Sequence, residues 1–382
     1  MPPSPPSHGP VTIIALPNET LHTIFLHISQ SALVNISRVS QRFRAVSERL
    51  LYSSIVLDDA LSESSPSPSK TLRWCESMHS RQHLIDVTKR LQIRWHADLR
   101  ARTFPSLSRV CAHISDVLRT LVYLESLEIF LGPANLPPQN HHPAHDQLHA
   151  VERVIQGAHF PRLRQCSLGA DYTKGVQPYT NVLPAFLASA PELRSLKLPD
   201  HPSALALPPT ALPFLASFRG SADTAAALIP GRPVHALALV GADSDVTREN
   251  LPRMTLGSVP LRYLDLSAMS VRPVLLRNVS THFPLLTHLR VKLALRHTLH
   301  YAWSGIRLLA GLSAVLSAFV QLELIDLSPT EVDGTGRADA KEELVLAAEW
   351  GSACPSLRCV IFPSETQWRH TGEDGGWAIV QP

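Results

Sequence analysis

The chain has few cysteines for its length, and their arrangement argues against a disulfide framework. Its 382 residues include five cysteines, an odd number spread from Cys75 to Cys359, with no C-x-x-C pair. Secreted disulfide-rich domains contain a denser and usually even set, and cysteine zinc sites need closely spaced ligands. We therefore expect five reduced thiols, in a protein of the cytoplasm and/or the nucleus.

Charge and long apolar runs are also scarce. The net charge is +3 and only 18% of the residues are charged, whereas a nucleic-acid surface needs clustered Lys and Arg. The longest apolar-leaning stretch, Leu308–Val320, is shorter than the ~20 residues that span a bilayer. The opening segment MPPSPPSHGP has no basic or apolar signal-peptide region. We predict neither a nucleic-acid nor a membrane partner, and expect residues 1–10 to be disordered.

Glycine is sparse, at 17 residues, and the patterns that need it are missing. There is no phosphate-binding loop, no nucleophile elbow and no dinucleotide-binding glycine pattern, so we predict no active site and no cofactor. One alternative is a metal-dependent hydrolase that uses the histidine-rich segment 140–149. Its possible ligands are His142, His145, Asp146 and His149. Because Pro143 interrupts this segment, ordinary loop histidines are the preferred interpretation.

Proline, by contrast, is abundant, with 32 residues against a typical share of about 5%. Many prolines stand just before an apolar segment of the form L-x-x-L-x-L, as in A-P-E-L-R-S-L-K-L at 190–198. The alternating end of this pattern predicts a short strand with one buried face, and the proline ends the preceding helix. Nine copies occur, with their first apolar residues at Leu124, Leu163, Leu193, Leu215, Val234, Leu261, Leu286, Leu322 and Leu357.

No single copy can bury its own apolar face, so the copies must stack. Their spacing suits units of one strand and one helix, as in leucine-rich repeats. We predict an irregular α/β solenoid of roughly eight to nine units over residues 86–382, capped by the C-terminal segment that contains Trp368 and Trp377. Outward-pointing strand residues form a candidate target-binding surface: Lys197, Tyr263, Asp265, His288, Arg290 and Asp326.

The N-terminal segment has a different pattern, that of three short amphipathic helices between residues 11 and 57. So few residues cannot build a full core, and the remaining apolar surface indicates a partner. The pattern L-P-x-E-x-L-x-x-I-F at 16–25, an apolar helix and V-S-x-R-F-R at 39–44 resemble the F-box, particularly its fungal forms.

The resemblance implies a three-helix F-box that binds the Skp adaptor of a cullin-RING ubiquitin ligase. The chain would then be a non-catalytic subunit that recognises a target protein. The resemblance assigns adaptor contact to Leu16, Pro17, Leu21, Ile24, Phe25, Leu33, Val39 and Phe43. The expected fold class is α+β, with the F-box at 11–57, a connecting segment at 58–85 and then the solenoid. The alternative is a repeat-based interaction scaffold with a degenerate or non-ligase F-box.

Overall fold

The computed structural model describes residues 13, 16–97, 107–135, 148–171, 178–294, 311–331, 339–372 and 376–380. The helices in this part are α1 (Asn18–Phe25), α2 (Gln30–Ile36), α3 (Gln41–Ser53), α4 (Ser69–Ser80), α5 (Leu107–Leu118), α6 (Ala150–Ile155), α7 (Val182–Ala188), α8 (Ala222–Leu228), α9 (Asn250–Met254), α10 (Pro273–His282), α11 (Ser313–Leu316) and α12 (Ala340–Ala353). The strands are β1 (Ser54–Leu61), β2 (Arg90–Ala97), β3 (Ser126–Phe130), β4 (Gln165–Gly169), β5 (Ser195–Leu198), β6 (Ser217–Gly220), β7 (Ala236–Val240), β8 (Tyr263–Val271), β9 (His288–Leu293), β10 (Leu324–Asp326), β11 (Cys359–Ile361), β12 (Gln367–His370) and β13 (Trp377–Ile379).

The first three helices form a small bundle. Ser29 and Ser40 precede α2 and α3, and their hydroxyl oxygens accept hydrogen bonds from backbone N–H groups of the first turns. Such caps satisfy donors that have no partner within the helix. The rings of Phe25 and Phe43 meet edge to face, with centroids 5.5 Å apart, and join α1 to α3.

The strands form a single sheet in chain order. Strands β1–β11 are parallel to one another, whereas β12 pairs antiparallel with both β11 and β13. Parallel neighbours need a crossover connection, and helices α4–α12 provide all of these connections except the one between β5 and β6. There, residues 199–216 form no α-helix. The predicted F-box helices followed by a leucine-rich-repeat-like α/β solenoid are confirmed.

The core lies between the sheet and the helices. All nine first apolar positions of the predicted repeats are buried, because they enter the core from the turn before each strand. Alternate strand residues then face the core, and one buried residue per strand lines up in register from β1 to β11: Ile55, Leu91, Leu127, Cys166, Leu196, Phe218, Leu237, Leu264, Leu289, Ile325 and Val360.

The predicted connecting segment at 58–85 instead contains part of the first solenoid unit, because β1 and α4 lie there. Strand β1 pairs with β2 along its whole length. The sequence did not reveal the repeat pattern here, because its first position is not an aliphatic residue in either of the first two units. That position is Tyr52, inside α3, before β1, and Thr88 before β2. Thr88 is fully buried and its hydroxyl donates to the Leu84 carbonyl at 2.9 Å, so it occupies a leucine position without an unsatisfied group. The sheet thus has eleven parallel strands, more than the predicted units.

The C-terminal strands β12 and β13 extend the sheet past its last parallel strand. The indole N–H of Trp368 donates to Glu343 of α12 at 2.9 Å. The ring of Trp377 packs so closely on Gly351 that a Cβ there would lie 2.9 Å from the ring. Both tryptophans are buried. This hairpin therefore covers the end of the core that a terminal repeat would otherwise expose.

Candidate functional site

Four of the residues expected to contact an adaptor lie inside the N-terminal bundle. Leu21, Phe25, Leu33 and Phe43 are at most 8% exposed and form, with Val46, a core separate from that of the solenoid. A buried side chain cannot contact a partner unless the bundle opens. The structure therefore corrects this part of the prediction: these four residues hold the bundle together.

The exposed apolar residues of the same bundle are the better contact candidates. Ile24 and Val39 were expected there, and they are 39% and 69% exposed. Leu26 and Val34 were missed, at 59% and 41%. We call these four residues the F-box apolar surface. One signal was present in the sequence, because three consecutive apolar residues from Ile24 to Leu26 cannot all face one core.

Two further expected contact residues lie at the start of the bundle. Pro17 is exposed and precedes α1, while Leu16 is half-buried and packs against the bundle core. The Nε atom of Arg42 donates to Asn18 at 2.8 Å, and so fastens α3 to the beginning of α1. Pro17 is therefore accessible, while Leu16 is partly used inside the chain.

The bundle and the solenoid are joined without a linker. Helix α3 ends at Ser53 and strand β1 begins at Ser54. Glu48 of α3 lies 3.4 Å from Arg81 and 3.3 Å from His83, in the turn that follows α4. Tyr52 of α3 packs against the solenoid core. The bundle is thus joined to the first repeats both by continuous backbone and by side-chain contacts.

The sheet face opposite the helices, which we call the open face, has a row of residues in register, all but one of which are charged. The row crosses β5–β10 in this order: Lys197, Arg219, Ala238, Asp265, Arg290 and Asp326. Arg219 reaches past the small Ala238 to Asp265 at 3.8 Å, and Arg290 lies 3.2 Å from Asp326. The charges of these two arginines are therefore compensated within the chain by the two aspartates.

Tyr263 and His288 lie beside this row on β8 and β9, with ring centroids 6.4 Å apart. Burial raises the pKa of Tyr263, and the Asp265 carboxylate adds to the rise. Five of the six residues predicted to bind a target thus lie together on β8–β10, while Lys197 lies on β5, three strands away. Their role in binding stays a prediction.

The histidine-rich segment is only partly described. His142, His145 and Asp146 lie outside the described residues. His149 caps α6, where its Nδ1 atom accepts from Val151 N–H at 3.2 Å, and it is 2% exposed. Within the described ranges no group of three or more His, Cys, Asp or Glu residues is arranged to hold a metal ion.

His149 belongs to a buried polar cluster that links successive repeats. Its ring stacks on the ring of Tyr179, with centroids 3.8 Å apart, and its Nε2 atom lies 3.6 Å from a carboxylate oxygen of Asp200. The Tyr179 hydroxyl donates to Asp200 at 3.0 Å, and Asp200 also accepts from the Ala170 N–H at 2.9 Å. Burial raises the pKa of Tyr179. The side chains of His149 and Asp200 are almost fully buried, Tyr179 is partly buried, and their polar groups contact one another, so we assign the cluster to stability.

His201 adjoins this cluster, with its ring centroid 5.1 Å from that of Tyr179, and we expect it to make the stability of the solenoid depend on pH. Burial lowers its pKa below the ordinary 6.5, and outweighs the opposing effects of the Ser203 carbonyl, Asp200 and Glu152. The neutral ring is therefore favoured in the folded state, and its contribution is present above about pH 6.5 and lost as the pH falls below that value. The charged or titratable groups around it are His149, Glu152, Tyr179 and Asp200.

The expected result is a thermal midpoint that decreases between about pH 7.5 and 5.5, and a smaller decrease for His201→Gln. Glutamine can keep a contact to Thr224, which lies 3.1 Å from His201 Nδ1, and it does not titrate. Equal pH profiles for the two proteins would show that His201 does not cause the dependence. Differential scanning fluorimetry across this range measures both.

Comparison with known proteins bears on the N-terminal bundle first. Residues 13–58 match the F-box-like family model, which confirms the predicted F-box. No curated protein matches the chain at a significant level. Within the described residues, none of the helices is both long and apolar enough to span a membrane.

Two solved structures are similar to the chain at low sequence identity. One is the leucine-rich repeat-containing protein LegL7 from Legionella pneumophila, with 12% identity, a TM-score of 0.37, and coverage of 68% of this chain and 90% of that chain. The other belongs to the Rad7 and Elc1 complex in yeast, with 15% identity, a TM-score of 0.37, and coverage of 90% and 85%. The family match and the observed repeats lead to one conclusion: the chain consists of an F-box-like domain at residues 13–58 and a leucine-rich-repeat-like solenoid.

Proposed function

We propose that this protein is a substrate-recognition subunit of a Skp-cullin-F-box type ubiquitin ligase. The F-box-like domain docks on the Skp adaptor, and the solenoid binds a target protein. The main support is the F-box apolar surface, because Ile24, Leu26, Val34 and Val39 remain exposed although the bundle already has its own core. Exposed apolar side chains that take no part in a domain's own core are typical of an interaction site.

The rigid junction supports the same proposal. A ligase subunit must hold its target at a defined position relative to the adaptor, and here α3 runs directly into β1. The contacts of Glu48 with Arg81 and His83 restrain the angle between the two parts. A partner bound to the solenoid would therefore keep a fixed orientation relative to a partner on the bundle.

We infer that the chain contributes binding and no catalytic residue. All five cysteines are buried. Burial raises the pKa of the Cys75 thiol to about 12, so that thiol stays protonated near neutral pH and is a poor nucleophile. Ubiquitin transfer would then depend on other subunits of the ligase.

The test is co-purification of the full chain with a Skp adaptor. The variant Ile24→Asp with Val39→Asp places two carboxylates on the F-box apolar surface without touching the bundle core. We expect its affinity to fall by about a hundredfold, because burying an unpaired charge in an apolar interface costs several kcal/mol. The matched control is Val345→Asp, which changes a 66% exposed valine on α12, far along the chain from the bundle.

Capture by wild type and by the Val345 variant, with loss in the double variant, is the expected outcome. A folded wild-type chain that fails to bind the adaptor would contradict the ligase role and favour the interaction scaffold. Equal loss in the Val345 variant would mean that the interface lies elsewhere. Circular dichroism of each variant checks that the fold is retained.

A further inference from the structure

An open groove lies outside the two surfaces described so far, at the edge of the sheet where β5–β8 begin. Its volume is about 600 Å³, and we call it the rim groove. Its apolar lining comes chiefly from Phe214, Pro233 and Val259, and its basic lining from Arg194, His235 and Arg262. Phe214 is 58% exposed and Val259 is 36% exposed, so large apolar side chains face solvent here.

One wall of the rim groove is built by the irregular connection between β5 and β6. In place of a helix, this segment has five prolines at positions 199, 202, 208, 209 and 213. Leu212 adopts a φ of +58°, a left-handed conformation that is uncommon for residues other than glycine. The turn closes with the Leu215 N–H donating to the Leu212 carbonyl at 3.2 Å. Phe214 lies within this turn and is presented to solvent.

Hydrogen bonds of Arg232 hold both walls of the groove. Arg232 is 3% exposed, and its guanidinium donates to the carbonyls of Ala211 at 2.8 Å and Pro208 at 2.9 Å, just before the Phe214 turn. On the opposite side, the Ser258 N–H donates to the Arg232 carbonyl at 3.0 Å, just before Val259. A preformed groove loses little ordering entropy when a ligand binds.

The charge of the groove differs from that of the open face. Across the residues that the structure describes, Arg194, His235 and Arg262 form no ion pair with a carboxylate. Arg262 donates only to neutral oxygens, those of the Leu285 carbonyl at 3.2 Å and the Gln321 amide at 2.5 Å. None of the described residues that line the groove is acidic. Its cations therefore remain available to an acidic partner.

We propose that the rim groove binds a short acidic peptide segment with one large apolar side chain. The apolar side chain packs between Phe214 and Val259, and the flanking carboxylates pair with Arg194 and Arg262. Bidentate pairing of arginine with a carboxylate adds orientation as well as affinity, and a buried apolar anchor supplies most of the binding free energy in small interfaces. This inference rests on the proposed function, because it specifies the chemistry of the target segment that the solenoid would bind.

The test is fluorescence anisotropy with the full chain and short labelled peptides. Each peptide has a central leucine, phenylalanine or tryptophan flanked by glutamates, and matched peptides have glutamine or lysine instead. We expect the glutamate peptides to bind with micromolar affinity and at least about tenfold more tightly than the glutamine peptides. Lysine peptides should not bind, because they repeat the charge of the groove.

Two groove variants and one control locate the site. Arg194→Glu and Phe214→Gln each change an exposed side chain, and we expect each to weaken binding about tenfold or more. The control is Arg277→Glu, which makes the same charge change on an exposed position of α10, on the helical side of the sheet. We expect it to leave the affinity unchanged.

Equal binding of glutamate and glutamine peptides would overturn the acidic specificity, and no binding of any peptide would overturn the proposal as a whole. Binding that survives both groove variants would exclude the rim groove as the site. None of these measurements involves the adaptor, so a failed peptide assay and a failed adaptor assay are distinguishable. The peptide assay tests the groove, and the co-purification tests the ligase role.

Discussion

Phe25→Ala is expected to unfold the F-box-like domain while the solenoid stays folded. The Phe25 ring is 2% exposed and meets Phe43 across the bundle, and truncating a buried phenylalanine costs about 3–5 kcal/mol. Among the residues that the structure describes, the bundle core contains five buried side chains and is separate from the solenoid core. A domain with so small a core has little stability to lose.

Hydrogen exchange of the full chain measures this effect locally. We expect backbone amides of α1–α3 to lose protection in Phe25→Ala, while those of β3–β11 keep it. The matched control is Ile24→Ala, one residue away and 39% exposed, which should cost less than about 1 kcal/mol. If both variants exchanged alike, the division into core and contact residues would be incorrect.

Glu152→Ala is expected to remove at least about 1–3 kcal/mol from the stability of the solenoid, because the Leu183 N–H is left buried without an acceptor. Glu152 is fully buried in α6, and its carboxylate accepts hydrogen bonds from the Thr180 and Leu183 N–H groups at 2.8–2.9 Å. Helix α7 has no side-chain cap from its own Asn181, so the preceding repeat provides its cap. Each buried N–H left without an acceptor costs about 1–3 kcal/mol.

Urea unfolding of Glu152→Ala and Glu152→Gln distinguishes two causes of lost stability: loss of the hydrogen bonds that cap α7, and loss of side-chain packing. Glutamine has nearly the same shape and keeps one acceptor oxygen, so we expect its midpoint to lie between those of wild type and the alanine variant. Equal midpoints for the two variants would indicate that the carboxylate matters for reasons other than capping. Retained stability in both would show that α7 finds another cap.

The sequence alone determined the repeat architecture and the F-box-like domain. The recurring L-x-x-L-x-L pattern reflects a local rule, since alternate residues of a strand face one side, and its first positions from Leu124 to Leu357 are all buried. The F-box pattern depends likewise on spacing within a short segment, and residues 13–58 match that family. Local periodicity needs no knowledge of neighbouring repeats.

Other features were decided by the tertiary structure, because they depend on which residues become neighbours. The sequence spacing predicted the same role, adaptor contact, for Leu21 and Ile24. In the structure, packing of α3 on α1 buries Leu21 and leaves Ile24 exposed. Thr88 did not match the pattern, yet a hydrogen bond to the Leu84 carbonyl allows it to occupy a core position. Burial and hydrogen bonding are set by the assembled chain.

The same distinction applies to the solenoid surfaces. The sequence placed Arg290 and Asp326 on one face, but only the register of β9 and β10 pairs them with each other. The rim groove combines residues from Arg194 to Arg262, with no motif that joins them in sequence. Its wall depends on the left-handed Leu212 and on buried Arg232. A groove built by neighbouring repeats exists only once the repeats stack, which is why the tertiary structure alone revealed it.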